Sequence, residues 1–222
     1  MDFPEAISTY AADVDGLIIL IAVLVGFWFF LAEGVFFLLL FKYRASANPR
    51  AGYYIGKEKE VKKWIQTSHI LVLLCDVFII VGAIRVWYDI KQDLPAADRT
   101  IRVVSQQWSW TFVHPGADGK LDTADDVTIT DNLFVEEGVT YHFELTSKDV
   151  VHCFSVPAFR LKQDAVPGRT IKGWFKVLDG FAGKQYDIQC AEMCGIGHGV
   201  MSGKLKVHSK EQHAAWLAEN GK

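Results

Sequence analysis

LIILIAVLVGFWFFLAEGVFFLLLF, residues 17–41, is almost wholly apolar, with Glu33 as its only charge. At 1.5 Å per residue, about 20 such residues cross the hydrocarbon core of a bilayer. A second stretch, residues 65–87, is also long enough to span, although it carries His69, Asp76 and Arg85. The first stretch is too long for the core of a signal peptide, and no small-residue cleavage pattern follows it. Together they predict a helical hairpin that stays in the membrane, with helices over about 17–41 and 65–87.

Charge orients the hairpin. Residues 1–16 carry Asp2, Glu5, Asp13 and Asp15 and no Lys or Arg, whereas the link between the spans carries Lys42, Arg44, Arg50, Lys57, Lys59, Lys62 and Lys63. Positive loops stay in the cytoplasm, so both termini and everything beyond the second helix are expected on the outer face. The expected organisation is a transmembrane hairpin over 1–90, a polar connector over 91–99 and an extracytoplasmic domain over 100–222. Over 222 residues the formal net charge is −3, too even a balance to suggest nucleic acid as a partner. The outer compartment is oxidising, yet the three cysteines beyond the hairpin, Cys153, Cys190 and Cys194, give an odd count for a disulfide framework. A metal site therefore competes from the start.

The outer domain reads as all-β. TIRVVSQQWSWTFV (100–113) alternates and is rich in β-branched and aromatic residues. DVTITDNLFVEEG, VTYHFELTS, VVHCFSVP, TIKGWFKVL, KQYDIQC and GKLKVHS follow in the same manner, broken by Gly, Pro, Asn and Asp. Many short strands without helical patterns between them predict an antiparallel sandwich or barrel. SKEQHAAWLAEN (209–220) reads as a short closing helix with Ser209 as N-cap. In a continuous strand over 100–113, Trp108 and Trp110 would share one face.

CAEMCGIGHGVM, residues 190–201, gathers two cysteines, a histidine and two methionines. A disulfide would use only the cysteines, and zinc would leave the methionines idle. A mononuclear blue-copper site takes one cysteine, two histidines and a weak methionine; the second histidine here would be His152, in the strand DVVHCFSVP. Two thiolates, however, can bridge two metal ions, each then needing one histidine and one weak ligand. His152 and His198 supply the imidazoles, Met201 a thioether and the Glu192 backbone carbonyl the last donor. A dinuclear copper centre uses the loop completely.

The pattern C-x-E-x-C-x-x-x-H-x-x-M over 190–201 resembles the dinuclear copper (CuA) loop of cytochrome c oxidase subunit II. The likeness covers nearly the whole chain: the hairpin, QWSW at 107–110, DVVHCFSVP at 149–157 and LKQDAVPGR at 161–169. It implies an α+β membrane protein with a cupredoxin-like outer domain. Cys190 and Cys194 would bridge the coppers, His152 and Met201 would complete one ion, and His198 and the Glu192 carbonyl the other. In the family the Glu192 carboxylate also reaches a magnesium ion at the contact with subunit I. Trp108 matches the exposed tryptophan that receives electrons from cytochrome c, and Asp131 and Asp149 match acidic positions around that docking face. The resemblance implies a multi-pass subunit of a bacterial inner (plasma) membrane oxidase, partnered by subunit I, other oxidase subunits, a c-type cytochrome and a respiratory supercomplex. Electrons would pass to the haem of subunit I, where oxygen is reduced to water and protons are pumped, so this chain holds no catalytic residue of its own.

The sequence departs from the family in its second span. Where the family has a glutamate three residues before a tryptophan and a proline four residues after it, Trp64 has Val61 and Ser68. Glu60, one position earlier, is the candidate for the mouth of a proton channel. Glu33 and Asp76 are functional candidates by their place in the membrane, with contact to a polar patch of a partner as the plainer reading. The acidic, turn-rich GADGKLDTADD (116–126) lacks the D-x-D-x-D-G order of a calcium loop and reads as a hairpin tip. Its Asp122, Asp125 and Asp126 could steer a basic cytochrome. His69, His114, His142, His208 and His213 read as structural or surface residues, Met193 as filler, and Cys75 and Cys153 as small apolar packing. No C-x-x-C-H binds a covalent haem. A quinol oxidase subunit would lack the copper ligands, and a nitrous oxide reductase would lack the hairpin. A CuA-containing subunit of a nitric oxide reductase is the standing alternative.

Overall fold

A computed structural model describes residues 3–47, 50 and 52–221. The chain divides into two units, Asp15–Trp87 and Met1–Val14 with Tyr88–Lys222.

The hairpin unit is built from α1 (Ala11–Lys42) and α2 (Lys59–Lys91), both long and apolar enough to cross a membrane. Each outruns the apolar stretch that announced it. Asp13 and Glu60 lie in first turns and Lys42 and Lys91 in last turns, where such charges favour the helix dipole, and the flanking Lys and Glu residues are strong helix formers. Side chains such as Phe30 and Phe41 are 74% and 67% exposed, which suits lipid rather than water as their surroundings. The helices touch where Trp28 Nε1 donates to Cys75 Sγ at 3.3 Å. Cys75 is thus a hydrogen-bond acceptor and not only a filler.

The other unit is a β-sandwich. Its strands are β1 (Arg99–Gln106), β2 (Ser109–His114), β3 (Val127–Thr130), β4 (Asn132–Glu136), β5 (Thr140–Ser147), β6 (His152–Val156), β7 (Leu161–Ala165), β8 (Ile171–Lys176), β9 (Gln185–Cys190) and β10 (Ser202–His208). They form two five-stranded sheets, ordered β3-β2-β1-β5-β8 and β4-β10-β9-β6-β7. Each sheet holds one parallel pair, β1 with β5 and β4 with β10, among antiparallel neighbours. The expected antiparallel sandwich thus carries two parallel pairs, because chain order crosses between sheets and a crossover returns a strand in parallel.

Alternation fills the space between the sheets. Trp110 and Phe112 of β2, Phe143 of β5, Phe154 of β6 and Phe175 of β8 are all fully buried. Gly173 of β8 has to be glycine, since a Cβ there would lie 2.3 Å from the Phe143 ring. β7 escaped the sequence reading because Lys162, Gln163 and Asp164 interrupt its apolar ends; such polar runs suit an edge strand.

Two local outcomes shape the site. The expected strand over 100–113 is instead a hairpin, with Gln106 opposite Ser109 and a cis peptide between Gln107 and Trp108. The turn takes Trp108 out of the strand's alternation. Trp110 is fully buried while Trp108 is 38% exposed, so the two rings do not share a face.

The N-terminal segment also joins this unit. Ile7 and Tyr10 sit in the core, Ile7 N–H donates to Ala158 O, and Leu178 N–H donates to Ile7 O. Glu5 binds Lys184 at 2.8 Å and the Tyr186 hydroxyl at 2.6 Å. Setting residues 1–90 apart as a hairpin does not anticipate this, since two apolar residues in a short segment carry no periodic signal.

The closing helix α3 (Lys210–Asn220) starts as expected: Ser209 Oγ accepts from Gln212 N, and the Gln212 side chain accepts from Ser209 N. Its Trp216 stacks on Phe134 at 4.7 Å, ringed by His114, His208 and His213 at 5.0, 6.3 and 5.3 Å.

Candidate metal centre

Three pieces of backbone meet at the candidate site. β9 ends at Cys190, a loop carrying a 3₁₀ turn over His198–Val200 follows, and β10 begins at Ser202. β6 starts at His152 and pairs with β9, Phe154 opposite Cys190, which brings His152 to the base of the loop. The loop is closed by Cys190 N–H donating to Met201 O, and by Met201 N–H donating to Gly197 O, each at 3.1 Å.

The ligand-type atoms converge. Cys190 Sγ and Cys194 Sγ are 3.7 Å apart. His152 Nδ1 lies 3.9 Å from Cys190 Sγ, and His198 Nδ1 lies 3.6 Å from Cys194 Sγ. Met201 Sδ is 3.8 Å from Cys194 Sγ, and the Glu192 carbonyl oxygen is 3.2 Å from Cys190 Sγ. His152, Cys190, Cys194 and Met201 are buried, while His198 is half-buried. The other side chains of the loop point out: Met193, Ile196 and Val200 are 73%, 97% and 78% exposed.

This donor set fits copper. The sulfurs are too far apart for a disulfide, which needs about 2.05 Å, yet near enough to share a metal ion with bonds of about 2.3 Å. Thiolate, imidazole and thioether are soft donors, the selection that favours copper over hard cations. His152, Cys190 and Cys194 alone form a group able to hold a metal. Burial, then the contact with Cys190, pushes the Cys194 thiol up to about 11, so the thiolate is favoured only beside a cation.

The family described as "Cytochrome C oxidase subunit II, periplasmic domain" matches residues 99–207. A protein of Aeropyrum pernix named "Heme-copper oxidase subunit 2" is 31% identical over 183 residues, covering 78% of this chain and 75% of that protein. The chain belongs to the subunit II family of haem-copper oxidases. A relative from Rickettsia bellii, "Probable cytochrome c oxidase subunit 2", is 35% identical over 144 residues, 59% of this chain and 52% of its own; the chain spans about half the length of such relatives. The solved periplasmic domain of subunit II of cytochrome oxidase from Bradyrhizobium japonicum shares the fold of the outer unit, with a TM-score of 0.51, 26% identity and coverage of 58% of this chain and 96% of that one. Membership of the subunit II family implies a copper centre of the CuA type, consistent with the clustered histidine and cysteines.

In this family member the supports of the centre are as ordered as its ligands. Asp149 Oδ1 accepts from His152 Nε2 at 2.8 Å, which leaves Nδ1 for the sulfur side, the usual arrangement of a metal-binding histidine. Asp149 also accepts the backbone N–H groups of Gln107 and Val150, each at 2.7 Å. Partial burial pushes its carboxyl up, but the hydrogen bonds from Gln107, His152 and Val150 overcome this and hold it at about 2. The Trp110 ring meets His152 edge-on at 6.2 Å. Gln107 Nε2 and Trp108 Nε1 both donate to the Cys194 carbonyl, at 2.8 and 3.2 Å. The Trp108 indole lies so close to the loop that a Cβ at Gly197 would be 2.4 Å from it.

The remaining predicted residues fall elsewhere. Asp131 takes a left-handed conformation, φ 57°, and its Oδ1 accepts from Trp110 N at 2.8 Å. Glu60 lies in the first turn of α2 and Glu33 within α1, both in the hairpin unit. Asp122 forms a bidentate pair with Arg102 at 2.7 and 2.9 Å, so that acid of the 116–126 loop is partly neutralised. The sequence reading missed Gln107, whose adjacency to Trp108 was its only signal. It also missed the clustering of His114, His208 and His213, which no motif announced.

Proposed function

We propose that this chain is the electron-accepting subunit of a cytochrome c oxidase, holding a dinuclear copper centre on Cys190, Cys194, His152, His198, Met201 and the Glu192 carbonyl. The convergence of these six donors on one loop and one strand end carries the reading. When bound, the centre supplies a one-electron acceptor with its charge spread over two ions. The chain's own residues make such transfer inexpensive. The sandwich and the hydrogen bonds of Asp149, Gln107 and the loop backbone hold the donors in place, so little has to move when charge changes.

Electrons arrive at Trp108 in this reading. Its indole is exposed on one side and bonded through Nε1 to the carbonyl of the bridging Cys194 on the other. The exposed Met193, Ile196 and Val200 offer apolar contact to a c-type cytochrome around it. Asp131 and Asp149 add acidic character, although each is engaged in internal hydrogen bonds. Electrons leave to the haem of subunit I, where oxygen reduction and proton pumping take place. The exposed Glu192 carboxylate is available to a magnesium ion at that contact.

The hairpin anchors the chain in a bacterial inner membrane with residues 100–222 outside. The packing of Ile7 and Tyr10 into the β unit supports placing both ends of the hairpin on one face. Glu60 remains a candidate for the proton path, and membership of a supercomplex belongs to the same proposal. The nitric oxide reductase alternative would share the copper centre; the oxidase names of the relatives favour the first reading.

The deciding experiment is copper loading of the full chain in detergent, with metal counted per chain and the electron paramagnetic resonance spectrum recorded. Two coppers sharing one unpaired electron are expected. One copper, or zinc alone, would refute the dinuclear centre.

A further inference from the structure

Asp76 stands at the midpoint of the apolar stretch 65–87, the depth at which a carboxylate is most costly in a bilayer. It takes part in no hydrogen bond or ion pair among the described residues. With Ser68, His69, Val72 and Leu73 it lines a groove of about 400 Å³ along α2. These positions recur at helical spacing and so share a face.

Among the described residues of the hairpin, nothing answers that carboxylate. Ser68 Oγ donates to Trp64 O at 3.0 Å, and His69 Nδ1 meets Ile65 O at 2.8 Å, where only an Nδ1–H donor suits a carbonyl. Both polar neighbours are therefore turned back onto their own helix. The face of α2 that meets α1 is marked by Cys75 under Trp28, about 100° round the helix from Asp76. Arg85, the one Lys or Arg of the stretch, lies about half a turn away from Asp76 in angle, and Glu33 of α1 has the same sign.

We propose that this groove docks a transmembrane helix of the partner oxidase subunit, and that a Lys or Arg of that helix pairs with Asp76 at mid-membrane depth. Charge complementarity selects the occupant: a carboxylate that its own chain leaves unpaired in an apolar medium is matched by a cation arriving on another chain. The inference rests on the reading of this chain as an oxidase subunit.

The test co-expresses the full chain with its partner subunits and follows haem that copurifies with it in mild detergent. Removing one member of a desolvated charge pair is costly, so Asp76→Asn is expected to weaken association by at least about thirtyfold. Asp76→Leu should do the same, and the copper signal of both variants should be unchanged, showing that the outer unit folds. Wild-type association in Asp76→Asn with loss in Asp76→Leu would mean a neutral hydrogen-bond partner and overturn the proposal, as would wild-type association in both. A photoreactive residue at Val72 should capture a helix bearing Lys or Arg within a turn of the crosslink, whereas one at Val81 should capture lipid. A wild-type chain that brings no haem would refute the oxidase reading. In that case the Val72 probe still decides the groove, and capture of lipid alone, or of a helix without a cation, overturns it.

Discussion

Gly197→Ala isolates the contact between Trp108 and the metal loop. Gly197 has φ −89° and ψ 9°, the bridge region that L-residues occupy in turns, so the substitution acts chiefly through its methyl. That methyl would lie 2.4, 2.6 and 2.8 Å from Cδ2, Cγ and Cε3 of Trp108. Carbon atoms settle at about 3.5–4.0 Å, so the indole must retreat by roughly 1 Å. A retreat of that size breaks the 3.2 Å bond from Nε1 to the Cys194 carbonyl. Overpacking costs about 1–3 kcal/mol, and the low end applies because the half-exposed ring can swing towards solvent. Misplacing a positioned reacting group by about 1 Å costs up to about a hundredfold in rate. Stopped-flow reduction of the copper centre by a c-type cytochrome should therefore slow by one to two orders of magnitude, with copper content unchanged. Gly199→Ala is the matched control, two residues on in the same loop, where an added Cβ meets nothing within 4 Å. Equal reduction rates in the two variants would refute both the clamp and the role of Trp108.

Asp149→Asn keeps the shape of the His152 support but removes its charge; copper affinity should fall about 10–100-fold and stability by about 1–2 kcal/mol at pH 7, and unchanged chelator competition would refute the support role. Because the Asp149 carboxyl is held at about 2, its stabilisation is complete above the ordinary carboxylate range and fades as pH falls through 2. His114 and His213 are pushed down to about 3, chiefly by burial and then by neighbouring positive groups including Arg99. The unfolded chain therefore binds protons that the folded chain refuses between the ordinary imidazole value and 3, and stability drops as pH falls through that window. Between pH 7 and 5 the loss should be about 2 kcal/mol per histidine, read by chemical denaturation, and His213→Gln should remove about half of it. Gly173→Ala drives a methyl to 2.3 Å from Phe143 in the closed core, where no ring can swing out, so a melting temperature within a degree of wild type would contradict the packing described.

The sequence exposed what depends on composition over a long window or on a fixed spacing. The two spans needed only length and apolarity, and the metal loop needed only its ligand types at short intervals. It hid what depends on distant backbone. The turn at Gln107 and Trp108 carries no Gly, Pro, Asn or Asp, so β1 and β2 merged into one apparent strand; only the register of Gln106 against Ser109 shows that Trp108 leaves the alternation. Ile7 and Tyr10 are unremarkable in a short polar segment and acquire meaning only from the core they join, Ile7 bonded to the Ala158 and Leu178 backbone and Tyr10 packed on the Trp174 ring. Asp149 looked like a surface acid because the histidine it orients, three residues on, faces inward.

The same turn explains why the site can be both firm and exposed. The proposed ligands come from the end of β9, the loop up to the start of β10 and the start of β6, and none of these alone would hold a long loop still. Gln107 links them: its backbone N–H binds the carboxylate behind His152, and its side chain binds the carbonyl of Cys194. One residue on the opposite sheet thus fixes two of the proposed donors, His152 and Cys194, at once, and Trp108, next in the chain, is carried onto the loop by the same geometry. A longer or glycine-rich turn would free the indole and weaken both supports together. The coupling is testable as non-additivity, because Gln107→Ala and Asp149→Asn act on one network. The double variant should lose clearly less copper affinity than the two single losses combined, and strict additivity would show that the supports act independently.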